Sequence, residues 1–252
     1  MCLICFLTSM PELRSILYIA IHTTNGHQFQ ESELASSMSK VASTDAKQPG
    51  ATSHRMFAAY YERLSRGESE NQFMDPLRKE VTAQAHGLVL EIGAGNGLNF
   101  AYYDPEKIER VEAIEPDSAM LRYARERVKA ARVPINLTQA PVESLPFADA
   151  TFDSAVCTLV FCSVTDPLRG LHEIRRVLKP GGTLLMVEHV RAHGRVAAAL
   201  QDMLTPFTRF FAGNCHWNRD TERTVNEAGF QIVERRNLGG VMVPMVMLKA
   251  RR

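Results

Sequence analysis

The sequence predicts an α/β fold built on a doubly wound, mostly parallel sheet. Three observations predict it. Short apolar runs alternate with amphipathic helical stretches. The first run empties into a glycine-rich loop, and the last two runs follow each other as a hairpin. Leu88 to Ile92 is the first strand, and Gly93-Ala-Gly-Asn-Gly97 follows it directly. Glycine there permits positive φ and lets a ligand lie against the main chain. A loop of this kind sits at the carboxyl end of the sheet, where open α/β folds bind ligands. A dinucleotide fingerprint needs G-x-G-x-x-G, and Leu98 stands at its last glycine. That opposes a nicotinamide-dependent reductase.

The remaining elements come in order. Val111 to Ile114 is a second strand ending in Glu115, an acid placed to accept hydrogen bonds from ribose hydroxyls. Asp117 caps a helix with Met120, Leu121, Ala124 and Val128 on one face. Ile135 to Thr138 forms the third strand and leads into Val142-Glu-Ser-Leu-Pro-Phe147. Phe152 to Thr158 is the fourth. Asp166-Pro167 then supplies a cap and a first-turn proline to a helix striped by Leu168, Leu171, Ile174 and Leu178. Pro180-Gly-Gly182 stops that helix and turns into a fifth strand, Thr183 to Val187. Phe230 to Arg235 and Val241 to Leu248, joined by Asn237-Leu-Gly-Gly240, close the set as a strand pair.

Glu91-Ile-Gly-Ala-Gly-Asn-Gly97, with Glu115 downstream, resembles the first motif of the class I S-adenosylmethionine-dependent methyltransferases. Val142 to Phe147 resembles the loop that covers adenine in that family. Arg176-Val-Leu-Lys-Pro-Gly-Gly182 is typical of its small-molecule members. The pattern accounts for the chain from about Gly87 to Arg252. It implies a Rossmann-like seven-stranded sheet, mostly parallel with an antiparallel last strand. It also implies S-adenosyl-L-methionine as cofactor, held by Glu91, Gly93, Ala94, Gly95, Asn96, Gly97, Glu115, Pro116, Val142, Glu143, Thr158 and Leu159. Where the family carries an acid beside adenine this chain has Pro141, so the backbone near Val142 takes that contact. Cys157 to Val164, Glu188-His-Val190 and Gly213 to Thr221 are less generic. They look like the methyltransferase-like proteins that include the animal alkyl-thiol S-methyltransferases. That resemblance implies a small apolar acceptor, with a thiol favoured. Phospholipid amines and quinone-type carbons are the alternative acceptors, and cofactor binding without turnover is the alternative of another class.

The chemistry asks little of the protein. A sulfonium methyl group is already a strong electrophile, so alignment and exclusion of water carry the reaction. No triad and no metal are expected. His189 and Glu188, at the end of the fifth strand, are the candidate catalytic residues. Tyr61, Cys162, Phe207, Phe211 and His216 are the candidate acceptor contacts. Met203, Leu204, Phe207, Phe210 and Phe211 make the segment before Thr221 apolar enough to wall an acceptor site.

Composition fits one catalytic domain. The 252 residues carry a net charge of +1 and no long basic run, which opposes a broad nucleic-acid footprint. Five cysteines without zinc-ligand spacing fit free thiols in a reducing compartment, so a cytoplasmic chain is expected. Residues 1–53 are read as a largely disordered extension, with Met38 as an alternative start. Its apolar beginning is interrupted by Pro11, Glu12 and Arg14, too soon for a spanning helix. The animal relatives' apolar N-terminal anchor implies weak membrane association there. Residues 54–86, with Phe57, Tyr60, Tyr61 and Leu64 on one helical face, are expected to form a lid, and 87–252 the methyltransferase domain. The sequence sets no oligomeric state.

Overall fold

A computed structural model describes residues 54–252 except 69, 212–213 and 241–242; the side chains of 71, 210 and 211 also lie outside the described residues. The 1–53 extension and the side chain of Phe211 therefore fall outside them. Ser53–Arg252 forms one compact unit.

The elements are α1 (Arg55–Leu64), a π-type turn (Glu70–Met74), α2 (Asp75–Thr82), β1 (Gly87–Ile92), a 3-10 turn (Leu98–Tyr102), β2 (Ile108–Ile114), α3 (Ser118–Val128), β3 (Ile135–Thr138), β4 (Phe152–Thr158), α4 (Pro167–Val177), β5 (Leu178–His189), α5 (Arg195–Phe211), α6 (Thr221–Glu227), β6 (Gln231–Gly239) and β7 (Met245–Arg251). The seven strands lie in the order β3-β2-β1-β4-β5-β7-β6. The first five are parallel, and β7 runs antiparallel to both β5 and β6. This is the doubly wound, Rossmann-like sheet with an antiparallel last strand that the sequence predicts. The chain leaves β1 for β2 on one side and later returns to β4 on the other, so the strand order reverses between them. Ligands bind at the carboxyl ends of strands beside such a reversal.

Both faces of the sheet are covered, which explains its continuous apolar runs. Leu90 and Ile92 of β1, Ala155 and Cys157 of β4, and Leu184 and Met186 of β5 pack with Leu171, Ile174 and Val177 of α4. Val89, Val156, Leu185 and Val187 face the other way, with Phe100, Tyr103 and Val81. The predicted caps form: Asp117 accepts from the Ala119 N–H, and Asp166 from the Arg169 N–H.

Several boundaries differ from the sequence reading: β2 begins at Ile108 rather than Val111, and α4 ends at Val177, before Leu178. β5 begins at Leu178 because Leu178 already pairs with Phe152, and Lys179 to Gly182 are absorbed as an irregularity in the register. β6 extends to Gly239 because β7 pairs it that far. β7 begins at Met245, after Pro244, which has no N–H to give a ladder. No helix among the described residues is long and apolar enough to cross a membrane.

Candidate functional site

The loop after β1 turns sharply, with Gly93, Gly95 and Gly97 all at positive φ. The glycines serve different ends. A Cβ on Gly93 would strike Val160 at 2.7 Å, and one on Gly97 would strike Phe100 at 2.6 Å, so these two are required by packing. A Cβ on Gly95 would meet only the Gly93 carbonyl at 3.9 Å. Gly95 therefore opens its backbone to empty space at the crevice, and this is the position where a ligand can lie against the chain. Ala94 ties the loop to the sheet by donating to the Ile114 carbonyl at 2.9 Å.

Glu115, at the tip of β2, reaches this loop. Its Oε2 accepts from the Gly95 N–H at 2.8 Å and its Oε1 from the Asp117 N–H at 2.9 Å. Burial pushes its pKa up to about 6 against those two hydrogen bonds. Each carboxylate oxygen keeps a lone pair for another donor. Beside it, Pro116 presents its carbonyl to the Gln139 amide. Val142 is buried in the core, and Glu143 accepts from the N–H groups of Thr165 and Asp166, which ties this loop to the start of α4.

Glu91 and Asn96 turn inward. Glu91 Oε1 accepts from Asn99 at 3.1 Å and Oε2 from the Tyr103 hydroxyl at 2.8 Å. Burial raises its pKa to about 7. Asn99 also donates to Thr158 Oγ1 and accepts from Arg78, which pairs with Glu70 at 2.8 Å. This buried chain of polar groups fixes the 3-10 turn beneath the glycine loop. The Asn96 amide donates to Glu62 Oε2 at 2.7 Å and to Ser65. Arg127 of α3 donates to both Glu62 oxygens and to the Asn96 carbonyl. Helix α1 is thereby clamped to the glycine loop. Tyr61 of α1, partnered by Arg78, has its hydroxyl pKa raised by burial.

The opposite bank of the crevice is built at the ends of β4 and β5. Leu159 takes positive φ, 58°, as the chain leaves β4, and donates to the Val187 carbonyl. Glu188 is fully buried, and one of its oxygens accepts from the N–H groups of Val160 and Phe161 at 2.8 and 3.0 Å. Burial lifts its pKa to about 7. Glu188 thereby shapes the loop after β4, because those two N–H groups have no strand partner. His189, Cys162 and Cys215 converge here, with one ligand-type atom of each within 4.8 Å of the others. The Cys215 thiol and burial push the Cys162 pKa well above its ordinary value. His216 donates its N–H to the Cys162 carbonyl, and burial lowers the pKa of its ring.

Helix α5 turns a largely polar face inward. Its inward face carries Gln201, Thr205 and Thr208, all buried. Val196, Met203 and Phe207 point outward, 77%, 58% and 39% exposed. The reason lies in what α5 covers, which is irregular backbone. Gln201 accepts from the Ala192 N–H and donates to the carbonyls of Val190 and Trp217. Thr205 accepts from the Trp217 indole, and Thr208 donates to the Cys215 carbonyl. Buried main-chain groups need partners, so the polar stripe turns in and the apolar stripe turns out.

Sequence reasoning missed Glu62, Arg127, Asn99, Tyr103, Arg78 and Cys215. The amphipathic spacing of α1 signalled a packed helix, but no sequence pattern pairs Glu62 with Arg127. Cys215 is separated from Cys162 and His189 by more than any short ligand motif spans.

Comparison with known proteins agrees with this geometry. A family described as a methyltransferase domain matches residues 90–186. Human thiol S-methyltransferase TMT1B is 32% identical over 176 residues, covering 65% of this chain and 71% of that protein. A phosphatidylethanolamine N-methyltransferase from Cereibacter sphaeroides is 31% identical, over 59% of this chain and 72% of its own. Among solved structures, an S-adenosylmethionine-dependent methyltransferase from Aquifex aeolicus superposes with a TM-score of 0.56 at 19% identity. It covers 77% of this chain and 97% of that one.

Proposed function

We propose that this chain, which belongs to the S-adenosylmethionine-dependent methyltransferases, transfers its methyl group to a small apolar thiol. The cofactor follows from the family, and the crevice fits it: the open face at Gly95 and the Glu115 carboxylate lie together at the strand-order reversal. When bound, S-adenosylmethionine supplies a methyl group made electrophilic by its sulfonium. In this reading Glu115 accepts from the ribose hydroxyls, and the Gly93 to Gly97 backbone carries the rest of the nucleoside side. The Glu62, Asn96 and Arg127 clamp holds α1 over that loop and excludes water. Alignment of this kind contributes about 7–11 kcal/mol to a displacement.

The observation that carries the thiol is the commitment of the acceptor bank's carboxylate. Glu188 holds two backbone N–H groups through one oxygen and is shut from solvent, so it has no route to pass a proton to water. A thiol, with an ordinary pKa near ~8.5, needs far less help to lose its proton than an ammonium near ~10.4. The likeness to a thiol S-methyltransferase supports the same reading. A second reading, a phospholipid amine acceptor, draws on the outward apolar face of α5 and on the Cereibacter relative. Incubating the protein with radiolabelled methyl donor and separate panels of alkyl thiols, phospholipid amines and quinols decides between them. Labelled thioether is the expected product. Label in the lipid amine alone rejects the thiol.

A further inference from the structure

We propose that Cys162, His189 and Cys215 bind a zinc ion whose fourth coordination position takes the acceptor sulfur. The proposal rests on the thiol reading above for the identity of that fourth ligand, and it departs from the metal-free site the sequence predicts.

Two thiols and an imidazole are a soft donor set, suited to zinc and poorly suited to calcium or magnesium. Zinc sites with three protein ligands keep the remaining tetrahedral position open for an exogenous ligand. The three ligand atoms already lie within 4.8 Å of one another. Zinc–sulfur bonds of about 2.3 Å would place tetrahedral donors roughly 3.8 Å apart, so closure asks for a shift of about 1 Å at most.

The cluster is held together from both sides. Asn214 donates its amide to the Ser163 carbonyl at 3.0 Å, and His216 donates its N–H to the Cys162 carbonyl at 2.6 Å. Cys215, between them, is thus pinned to the segment that carries Cys162. Thr208 of α5 donates to the Cys215 carbonyl at 2.7 Å. Arg219 closes the other side by donating to the carbonyls of Phe161 and Val164. This much anchoring is out of proportion to a loop with two incidental thiols.

A second observation points to a missing partner. Among the described residues the Nδ1 atom of His189 is shut from solvent and makes no hydrogen bond, while the imidazole lies within hydrogen-bonding reach of the Cys162 thiol. Buried polar atoms in folded proteins are ordinarily satisfied. Zinc would release both cysteine protons to water, as its ligation requires. An entering acceptor thiol would bind in the same way, as thiolate, with its proton passing to solvent. This would give the chain a source of acceptor thiolate at neutral pH without a general base.

The test uses the full chain, purified under reductant, loaded with zinc and dialysed free of excess. Elemental analysis is expected to find one zinc per chain. Cys162→Ser, His189→Ala and Cys215→Ser should each lose it, and Cys157→Ala, in the sheet core, should keep it. Cys215 is only partly buried, so its variant stays informative if Cys162→Ser fails to fold. Cobalt in place of zinc should show an intense thiolate charge-transfer band, and adding a short alkanethiol should shift that band. Zinc retention below a tenth of an equivalent, retention unchanged in all three variants, or a cobalt spectrum without the thiolate band overturns the site. A thiolate band that the alkanethiol leaves unmoved overturns the open position. None of these readouts depends on turnover, so a failure of methyl transfer to thiols would strike the acceptor reading alone.

Discussion

The two banks of the crevice are built by opposite means. The bank proposed for the cofactor is a single short loop whose glycines, flanking strands and acid all lie within the stretch from Gly87 to Asp117. The bank proposed for the acceptor draws Leu159 to Val164, Glu188 to Ala192, α5 and Asn214 to Arg219 into one place. On the first bank backbone conformation makes the site, and side chains such as Glu91 and Asn96 hold it from behind. On the second, side chains satisfy irregular backbone, as Gln201 and Glu188 do. A ligand common to a whole family can be served by a fixed local loop. Acceptors that vary are served by segments gathered from several parts of the chain.

The largest expected effect tests the first bank. Glu115→Ala should weaken cofactor binding by about 2–4 kcal/mol, since hydrogen bonds to a charged group contribute about 1.5–3 kcal/mol each. Titration calorimetry with S-adenosylhomocysteine measures it, and unchanged affinity would move the nucleoside elsewhere. Gly95→Val should be at least as damaging, because a β-branched residue would have to sit at φ 56° with its side chain in the open space.

Next in size, Gln201→Leu should lower stability by about 1–3 kcal/mol. It strands the Ala192 N–H and the carbonyls of Val190 and Trp217. Urea unfolding checks this, and a stabilised variant would mean that α5 tolerates an apolar inner face after all.

Acidification separates binding from folding. Glu115 titrates near pH 6 in the free protein, and a ligand that donates to its carboxylate lowers that value. Cofactor affinity should hold steady above pH 6 and fall about tenfold per unit below it. The fold moves the other way. A carboxyl whose pKa is raised on folding binds a proton that the unfolded chain does not, so this group favours the folded state as pH drops from 6 toward 4.5. Glu91 and Glu188, both near 7, act in the same direction. A loss of affinity at pH 5 that tracks loss of structure would refute the assignment to Glu115.

The smallest effect belongs to Phe207→Ser. On the outward face of α5 it should change stability and cofactor affinity by less than about 0.5 kcal/mol. A larger loss would place this ring against something in the assembled protein and narrow the contrast between the helix's two faces.

Much of the fold is legible in the order of residues alone. Strand periodicity, the caps at Asp117 and Asp166 and the glycine loop are local signals, and each falls where the sequence places it. The orientation of α5 is not legible in that way, because apolar residues at helical spacing ordinarily face a core. Here the helix lies over backbone in need of hydrogen bonds.

The sequence by itself determined the parallel sheet, its order of elements and the Gly93 to Gly97 turn, because backbone preference and periodicity act between near neighbours. The tertiary structure alone decided that Glu62 meets Arg127, that Glu91 turns inward to Tyr103, and that Cys162, His189 and Cys215 share one place. Those meetings depend on how strand ends converge at the carboxyl edge of the sheet, a property of packing that no local pattern encodes.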